Sequence, residues 1–247
     1  MLKLQNISKS FGGVQAVKNC SFEIEESCIT ALIGPNGAGK TTVFNLVSGF
    51  FNPDKGEIFF QKQNINNLPI WKRSRLGISR TFQLSRMFRN LSIEDNLLIA
   101  LREDDDKFFK MFMRGIEGDA QEKNRIREMM DFVGLKKDPS TIVTDLSYGQ
   151  QKLFDLARAL LNNHTFLMLD EPVAGVNPVL RDTLKELLKK LKSKGETIFV
   201  IEHDMDFVRS IADTVIVMDQ GDVLAQGTPV KVLSDKSVLE AYLGINI

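Results

Sequence analysis

Gly34-Pro35-Asn36-Gly37-Ala38-Gly39-Lys40-Thr41 fits G-x-x-x-x-G-K-[ST] in full. The chemistry open to such a stretch is phosphate binding. Its glycines let the backbone curl until several N–H groups face inward, and the positive end of a following helix adds to their pull on an anion. Lys40 would then reach the β- and γ-phosphates of a nucleoside triphosphate, and the Thr41 hydroxyl would ligand Mg2+. A second candidate is acidic. Asp170 closes the apolar run Phe166-Leu167-Met168-Leu169, and Glu171 follows it. A carboxylate at the end of an apolar strand is placed to orient Mg2+ opposite a phosphate loop. Glu171 could accept the proton of an attacking water, a contribution of about 10²–10⁴ in rate. Taken alone, Asp170-Glu171 fits a solvated turn after a strand equally well. No guanine-reading N-K-x-D stretch is present.

These groups need a strand before the loop and a helix after it. Cys28–Ile33 is a compact apolar run ending at Gly34, which predicts a buried strand, and Lys40–Gly49 carries Val43, Leu46 and Val47 at helical spacing. Leu2–Ile7 and Cys20–Ile24 alternate, with a turn at Phe11-Gly12-Gly13, and Ile58–Phe60 is a further short strand. From about Asn90 to Leu161 the pattern is helical and more polar. It is broken by Glu103-Asp104-Asp105-Asp106 and punctuated by Gly115, Gly118, Gly134 and Pro139. Strand and helix then alternate. Phe166–Leu169, Ile198–Ile201 and Thr214–Met218 are strands, and Pro178–Leu191 is a helix with Leu180, Leu184, Leu187, Leu188 and Leu191 on one face, closed by Gly195. The expectation is an α/β core with a mainly parallel sheet, an antiparallel β edge and a helical insert.

Lys+Arg and Asp+Glu are both 32, so the 247 residues carry no formal net charge and no bulk attraction to nucleic acid or anionic lipid. Cys20 and Cys28, the two cysteines, lack C-x-x-C spacing and read as reduced buried thiols. No signal-peptide pattern opens the chain. The longest apolar runs are strand-length, well short of the roughly 18 residues of a membrane span. The chain is expected to be soluble and cytosolic, docking on a partner if it works at a membrane.

Four further motifs are present along the chain. Leu146-Ser147-Tyr148-Gly149-Gln150-Gln151 resembles the signature loop L-S-G-G-Q of the ATP-binding subunits of ABC transporters. Gln83, in Arg80-Thr81-Phe82-Gln83, resembles that family's Q-loop glutamine, and His203, in Ile201-Glu202-His203-Asp204, its switch histidine. Phe11 stands where the family places an aromatic against adenine. The resemblance covers essentially the whole chain. It implies a P-loop NTPase fold of the ABC ATPase kind, residues 1–247 forming one nucleotide-binding domain with a helical subdomain within about 84–161. ATP and Mg2+ are the implied cofactors. Phe11, Val17, Gly34, Asn36, Gly37, Ala38, Gly39, Lys40, Thr41 and Thr42 would bind nucleotide, and Thr41, Gln83 and Asp170 would surround the metal. Glu171, His203 and Gln83 would serve catalysis. Ser147, Gly149 and Gln150 would close on the γ-phosphate held by a second subunit, two subunits sandwiching two nucleotides head to tail.

Each of these also has a physical reading. A Ser and a Gly at a helix N-terminus make an anion site. His203 could bond the γ-phosphate or position Glu171 and water, or be a satisfied histidine after a strand. Phe11 could stack on a base or sit in the core. His164, in a polar loop, reads as structural. Lys107–Arg114 mixes basic residues with Phe108, Phe109 and Phe112, and fits either a helix burying its aromatics or a surface for headgroups or a partner. Lys72, Arg73 and Arg75 beside Trp71 read as a solvated face.

Gly49-Phe50 with Pro53, Arg80-Thr81-Phe82-Gln83, Ala174-Gly175-Val176-Asn177-Pro178, Ile201-Glu202-His203-Asp204-Met205 and Glu240-Ala241-Tyr242-Leu243-Gly244 narrow the resemblance to the subfamily that drives uptake of branched-chain amino acids. Its relatives handle other amino acids, urea or short amides. Tyr148 in place of a signature glycine and Asn177 in place of the usual Asp are familiar there. The implied partners are integral membrane permease subunits, a second ABC ATPase subunit, identical or related, and indirectly a solute-binding protein, with no nucleic acid. The implied location is cytoplasmic, peripheral on the cytoplasmic face of the membrane. Two other classes fit the sequence less well: a soluble ABC ATPase acting on nucleic acid or ribosomes, which would carry coiled-coil inserts or two ATPase units, and a small-molecule P-loop kinase, which would not need Leu146–Gln151 or the His203 segment.

Overall fold

The computed structural model describes residues 1–81, 87–102 and 118–243. Gln83, the stretch Lys107–Arg114 and Gly244 lie outside the described residues. The chain opens as a hairpin, β1 (Leu2–Phe11) and β2 (Val14–Ile24). Its turn is Gly12-Gly13, with φ of 53° and 89°. Two consecutive positive φ values make the turn whose twist suits a hairpin, and glycine adopts them without strain. β4 (Lys55–Phe60) pairs on the other side of β1 and carries the short β5 (Gln63–Asn64), giving an antiparallel sheet in the order β2-β1-β4-β5.

The second sheet contains β3 (Ile29–Ile33), β6 (Ile78–Arg80), β7 (Phe166–Asp170), β8 (Thr197–Ile201), β9 (Thr214–Asp219) and β10 (Asp222–Gly227), in the order β10-β9-β3-β8-β7-β6. All neighbours are parallel except β10 with β9. The central strands are unbroken apolar runs because both faces are covered. Ile29, Ala31, Ile33, Leu167, Leu169, Ile198, Val200, Val215 and Val217 face one core. Leu32, Phe166, Met168, Phe199, Ile201, Ile216 and Met218 face the other, where α1 (Lys40–Ser48) lies between this sheet and the antiparallel one.

The first core is closed by α3 (Ile93–Leu101), α4 (Ala120–Val133), α5 (Tyr148–Leu161), α6 (Pro178–Ser193) and α7 (Met205–Ile211), with α8 (Pro229–Leu233) and α9 (Lys236–Leu243) at its end. Helix starts are set by sequence. Ser92, Asp119 and Ser147 form capping boxes with the third residue onward, and Asn177 caps α6 ahead of Pro178. Leu184, Leu187, Leu188 and Leu191 of α6 are buried, and Leu180 is partly so. No described helix is long and apolar enough to cross a membrane. Both cysteines are free thiols, Cys20 buried and Cys28 half-buried.

Arg73, on the short helix α2 (Ile70–Arg75), corrects the expectation of a solvated face. Its side chain is 0% exposed. The guanidinium donates to the carbonyls of Leu46 (2.5 Å), Leu68 (2.8 Å), Val47 (2.9 Å) and Asn66 (3.0 Å). Two of these are carbonyls in the last turn of α1, of which that of Leu46 also accepts from the Gly49 N–H (3.3 Å). Burial pushes its pKa down to about 10. Lys72 and Arg75 do stay at the surface, over the Trp71 ring. His164 sits as a loop brace, with Nδ1 2.7 Å from the Asn162 carbonyl oxygen and Nε2 3.4 Å from Glu196.

Candidate active site

The phosphate loop leaves β3 at Gly34 and enters α1 at Gly39. A Cβ at Gly34 would lie 2.1 Å from the Met218 carbonyl oxygen, and one at Gly39, where φ is 97°, would lie 2.4 Å from that of Ala16. The loop is thus pressed against β9 and β2, and only glycine fits. Gly221, in the β9–β10 turn, pins it further. Its N–H donates to the Ala38 carbonyl (3.1 Å), and its own carbonyl accepts from Lys18 N–H (2.7 Å). Ala38 is buried, while Asn36 and Gly37 stand exposed at the crest. No side chain caps the start of α1. Its first turn carries Thr41, exposed, and Thr42, half-buried. Lys40 is 6% exposed, and its Nζ donates to the carbonyls of Gly34 (2.7 Å) and Pro35 (2.9 Å). Burial holds its pKa below the ordinary lysine value, and the charges of Glu171 and Asp170 oppose that shift.

Asp170 and Glu171 stand at the end of β7. Asp170 is 5% exposed and pairs with Arg80 of β6 at 3.1 Å. Arg80 also donates to Asn45 Oδ1 and Ser48 Oγ on α1, both at 2.8 Å, so the ion pair ties β7 to the helix behind the phosphate loop. Burial raises the Asp170 pKa and Arg80 pulls it down. Glu171 has φ of 49°, the left-handed region that non-glycine residues seldom occupy. Its N–H donates to the Ile201 carbonyl (3.0 Å) on β8, and its carboxylate Oε1 lies 3.1 Å from His203 Nε2. Glu202, 2% exposed, accepts from the N–H groups of Val173 (2.8 Å) and His203 (3.1 Å) and so braces both loops. Burial raises its pKa.

The structure therefore brings Lys40, Asp170, Glu171 and His203 to one edge of the parallel sheet. Phe11 is 41% exposed at the tip of the first hairpin, edge-on to Phe51 at 5.0 Å. It is not a core residue. Val17 lies on the same hairpin, buried in the second core. Sequence reasoning assigns no role to Arg80 or Glu202. The signal for Arg80 was a cation beside the strand that flanks β7, and for Glu202 an acid directly before His203.

Ser147 caps α5, its hydroxyl accepting from Gln150 N–H (3.4 Å) while Gln150 Oε1 accepts from Ser147 N–H (3.0 Å). Ser147 is exposed, Gly149 and Gln150 half-buried. A Cβ on Gly149 would lie 2.7 Å from Leu180. Asn177 accepts from Leu180 N–H (2.9 Å), a cap that needs no negative charge. The donor set suits a nucleotide and a divalent ion. A cradle that a Cβ would fill, an uncapped helix start, a buried lysine and a buried carboxylate match phosphate oxygens and Mg2+.

The sequence model of the ABC transporter family matches residues 17–174. The chain is 37% identical over 245 residues to the probable branched-chain amino acid transport ATP-binding protein LivG of Archaeoglobus fulgidus, covering 99% of this chain and 95% of that one. It is 38% identical over 252 residues to the high-affinity branched-chain amino acid transport ATP-binding protein BraF of Pseudomonas aeruginosa, covering 99% and 98%. Among solved structures, the ADP conformation of an ATP-binding cassette of an ABC transporter superposes with a TM-score of 0.87 at 32% identity, covering 99% of each chain. A dimeric cassette bound to ADP and Pi in a post-hydrolysis state gives 0.80 at 26% identity, covering 93% of this chain and 99% of that one. With its family model matched over more than half its length, the chain belongs to the ABC transporter family, as one of its ATP-binding cassettes.

Proposed function

We propose that this chain binds ATP with Mg2+ and hydrolyses it to drive a membrane importer for branched-chain or related amino acids. The observation that carries the chemistry is the Glu171 carboxylate, held 3.1 Å from His203 at the edge that also presents the phosphate loop. Lys40 and the N–H groups of the loop and of the start of α1 bind the phosphates, and Phe11 stacks on the adenine. Thr41, Gln83 and Asp170 would hold Mg2+, which would supply charge neutralisation at the phosphate oxygens. Glu171 accepts the proton of the attacking water, and His203 fixes the carboxylate. Residues 1–247 act as one nucleotide-binding domain with a helical subdomain within about 84–161. The partners are permease subunits and a second ABC ATPase, with a solute-binding protein acting indirectly, and the chain works peripherally on the cytoplasmic face.

Glu171→Gln keeps shape but cannot take a proton. ATP binding should persist while MgATP hydrolysis falls by at least about 100-fold. Hydrolysis at near the unaltered rate would remove Glu171 as the base. The substrate is tested separately. Loss of the chain should abolish uptake of labelled leucine through the assembled importer, and unchanged uptake would shift the cargo to another amino acid, urea or a short amide.

A further inference from the structure

The geometry points to Tyr148 and Lys152 as positioning residues for Glu171: from the start of α5 they tether the loop that carries it. Lys152 Nζ donates to the Glu171 carbonyl at 2.9 Å. Tyr148 Oη donates to the Ala174 carbonyl at 3.1 Å, and its ring covers Gly175, whose Cβ position lies 3.2 Å from it. The two side chains are four residues apart, on one face of the helix. Lys152 Nζ lies 5.7 Å from the Tyr148 ring centroid, so the pair acts as a unit. The platform behind them is rigid. Leu153, Phe154, Leu156, Ala157, Leu160 and Leu161 of α5 are buried.

Glu171 needs such a tether. A non-glycine residue at φ 49° holds a strained conformation that persists only where the surroundings impose it. Here the peptide group before Glu171 is held by the Ile201 carbonyl and the one after it by Lys152. The Glu171 carboxylate meets His203 only while both bonds hold. A glycine at position 148 would supply neither ring nor hydroxyl. Tyr148 therefore gives this chain a link that the generic signature loop lacks, and a shift of the Ser147 end of α5 is passed to Glu171 of the same chain.

The inference rests on Glu171 as the base, and the experiment separates the two. MgATP hydrolysis is measured on the full chain purified with the subunits that accompany it, for Lys152→Met, Lys152→Arg and Tyr148→Phe. ATP binding and amide exchange across residues 171–177 are followed in parallel. Lys152→Met should lower kcat by about 10–100-fold, the cost of a misplaced catalytic group, with KM for ATP within about twofold. It should also speed exchange across 171–177, and Lys152→Arg, which keeps a charged donor, should restore both. Tyr148→Phe loses one hydroxyl and should lower kcat by a few-fold. Unchanged kcat in Lys152→Met, a matching loss of ATP binding, or no recovery with Arg would overturn the tether. Should Lys152→Met fail to fold, the exposed and near-isosteric Tyr148→Phe decides, unchanged kcat and unchanged exchange overturning it. Should Glu171→Gln prove fully active, the base assignment fails, while exchange across 171–177 still reports whether the tether exists.

Discussion

Lys40 is buried, and the carbonyls of Gly34 and Pro35 accept hydrogen bonds from its Nζ. We propose that a bound phosphate would take over those bonds as an anionic acceptor. Lys40→Ala should therefore weaken ATP binding by at least about tenfold, since a hydrogen bond to a charged group is worth roughly 1.5–3 kcal/mol. Calorimetric titration with ATP checks it, and normal affinity would remove the loop from the site. Phe11→Ala makes the complementary test. Its ring is 41% exposed, so the substitution should leave the melting temperature near that of the unaltered chain. Adenine-nucleotide affinity should fall by roughly 1–3 kcal/mol if the ring stacks on the base; unchanged affinity rules that role out. The phosphate loop and Asp170-Glu171 were legible in the sequence because their chemistry fixes residue type and spacing together. Arg80 and Glu202 were not. Each acts through a partner brought close by the fold, Asp170 for one and the Val173 and His203 amides for the other.

At the scale of elements, periodicity disclosed what is long and half-exposed or wholly apolar: the first hairpin, α1, α6 and the central parallel strands. It was silent on β6 and on α2, which are three and six residues long, too short for any period to show. It was silent on β10 because Asp222–Gly227 alternates only between exposed and half-buried, an edge strand with one weakly covered face. Arg73 shows the same limit at one residue. Its partners are main-chain carbonyls, which carry no side-chain signature, so the sequence displayed only a cation among cations. The structure makes it the staple between α1 and α2. Arg73→Met should destabilise the chain by about 2–4 kcal/mol, because buried carbonyls left without donors cost about 1–3 kcal/mol each. Lys72→Ala and Arg75→Ala, on the solvated side, should stay within about 0.5 kcal/mol. Urea midpoints measure all three, and equal effects would mean that Arg73 is not the staple.

The whole molecule has its two functional ends on one chain, and they face different demands. The phosphate loop, Asp170 and Glu171 form one site. At the start of α5, Ser147 is exposed with the positive end of the helix behind it, and we propose this as a second anion-binding surface. Tyr148 folds back on Ala174 and Gly175 of its own chain and leaves Ser147 open to an outside phosphate. A second cassette carrying ATP in its own loop is the partner that the family resemblance implies. Pairing should then depend on the γ-phosphate and last as long as it is uncleaved. Glu171→Gln blocks cleavage while leaving the phosphate loop intact, so this variant should elute as a dimer with ATP and as a monomer with ADP on gel filtration. Tyr148 replaces a signature glycine and Asn177 a usual Asp, so the experiment should be run both alone and mixed with a related ATPase subunit. Dimer formation in the mixture alone identifies a heterodimer. Ser147→Arg, which sets bulk at the α5 start and also removes its N-cap, should abolish the ATP-dependent dimer in either case, with the melting temperature followed in parallel. A dimer that survives this substitution, or that forms equally with ADP, would place the contact elsewhere on the molecule.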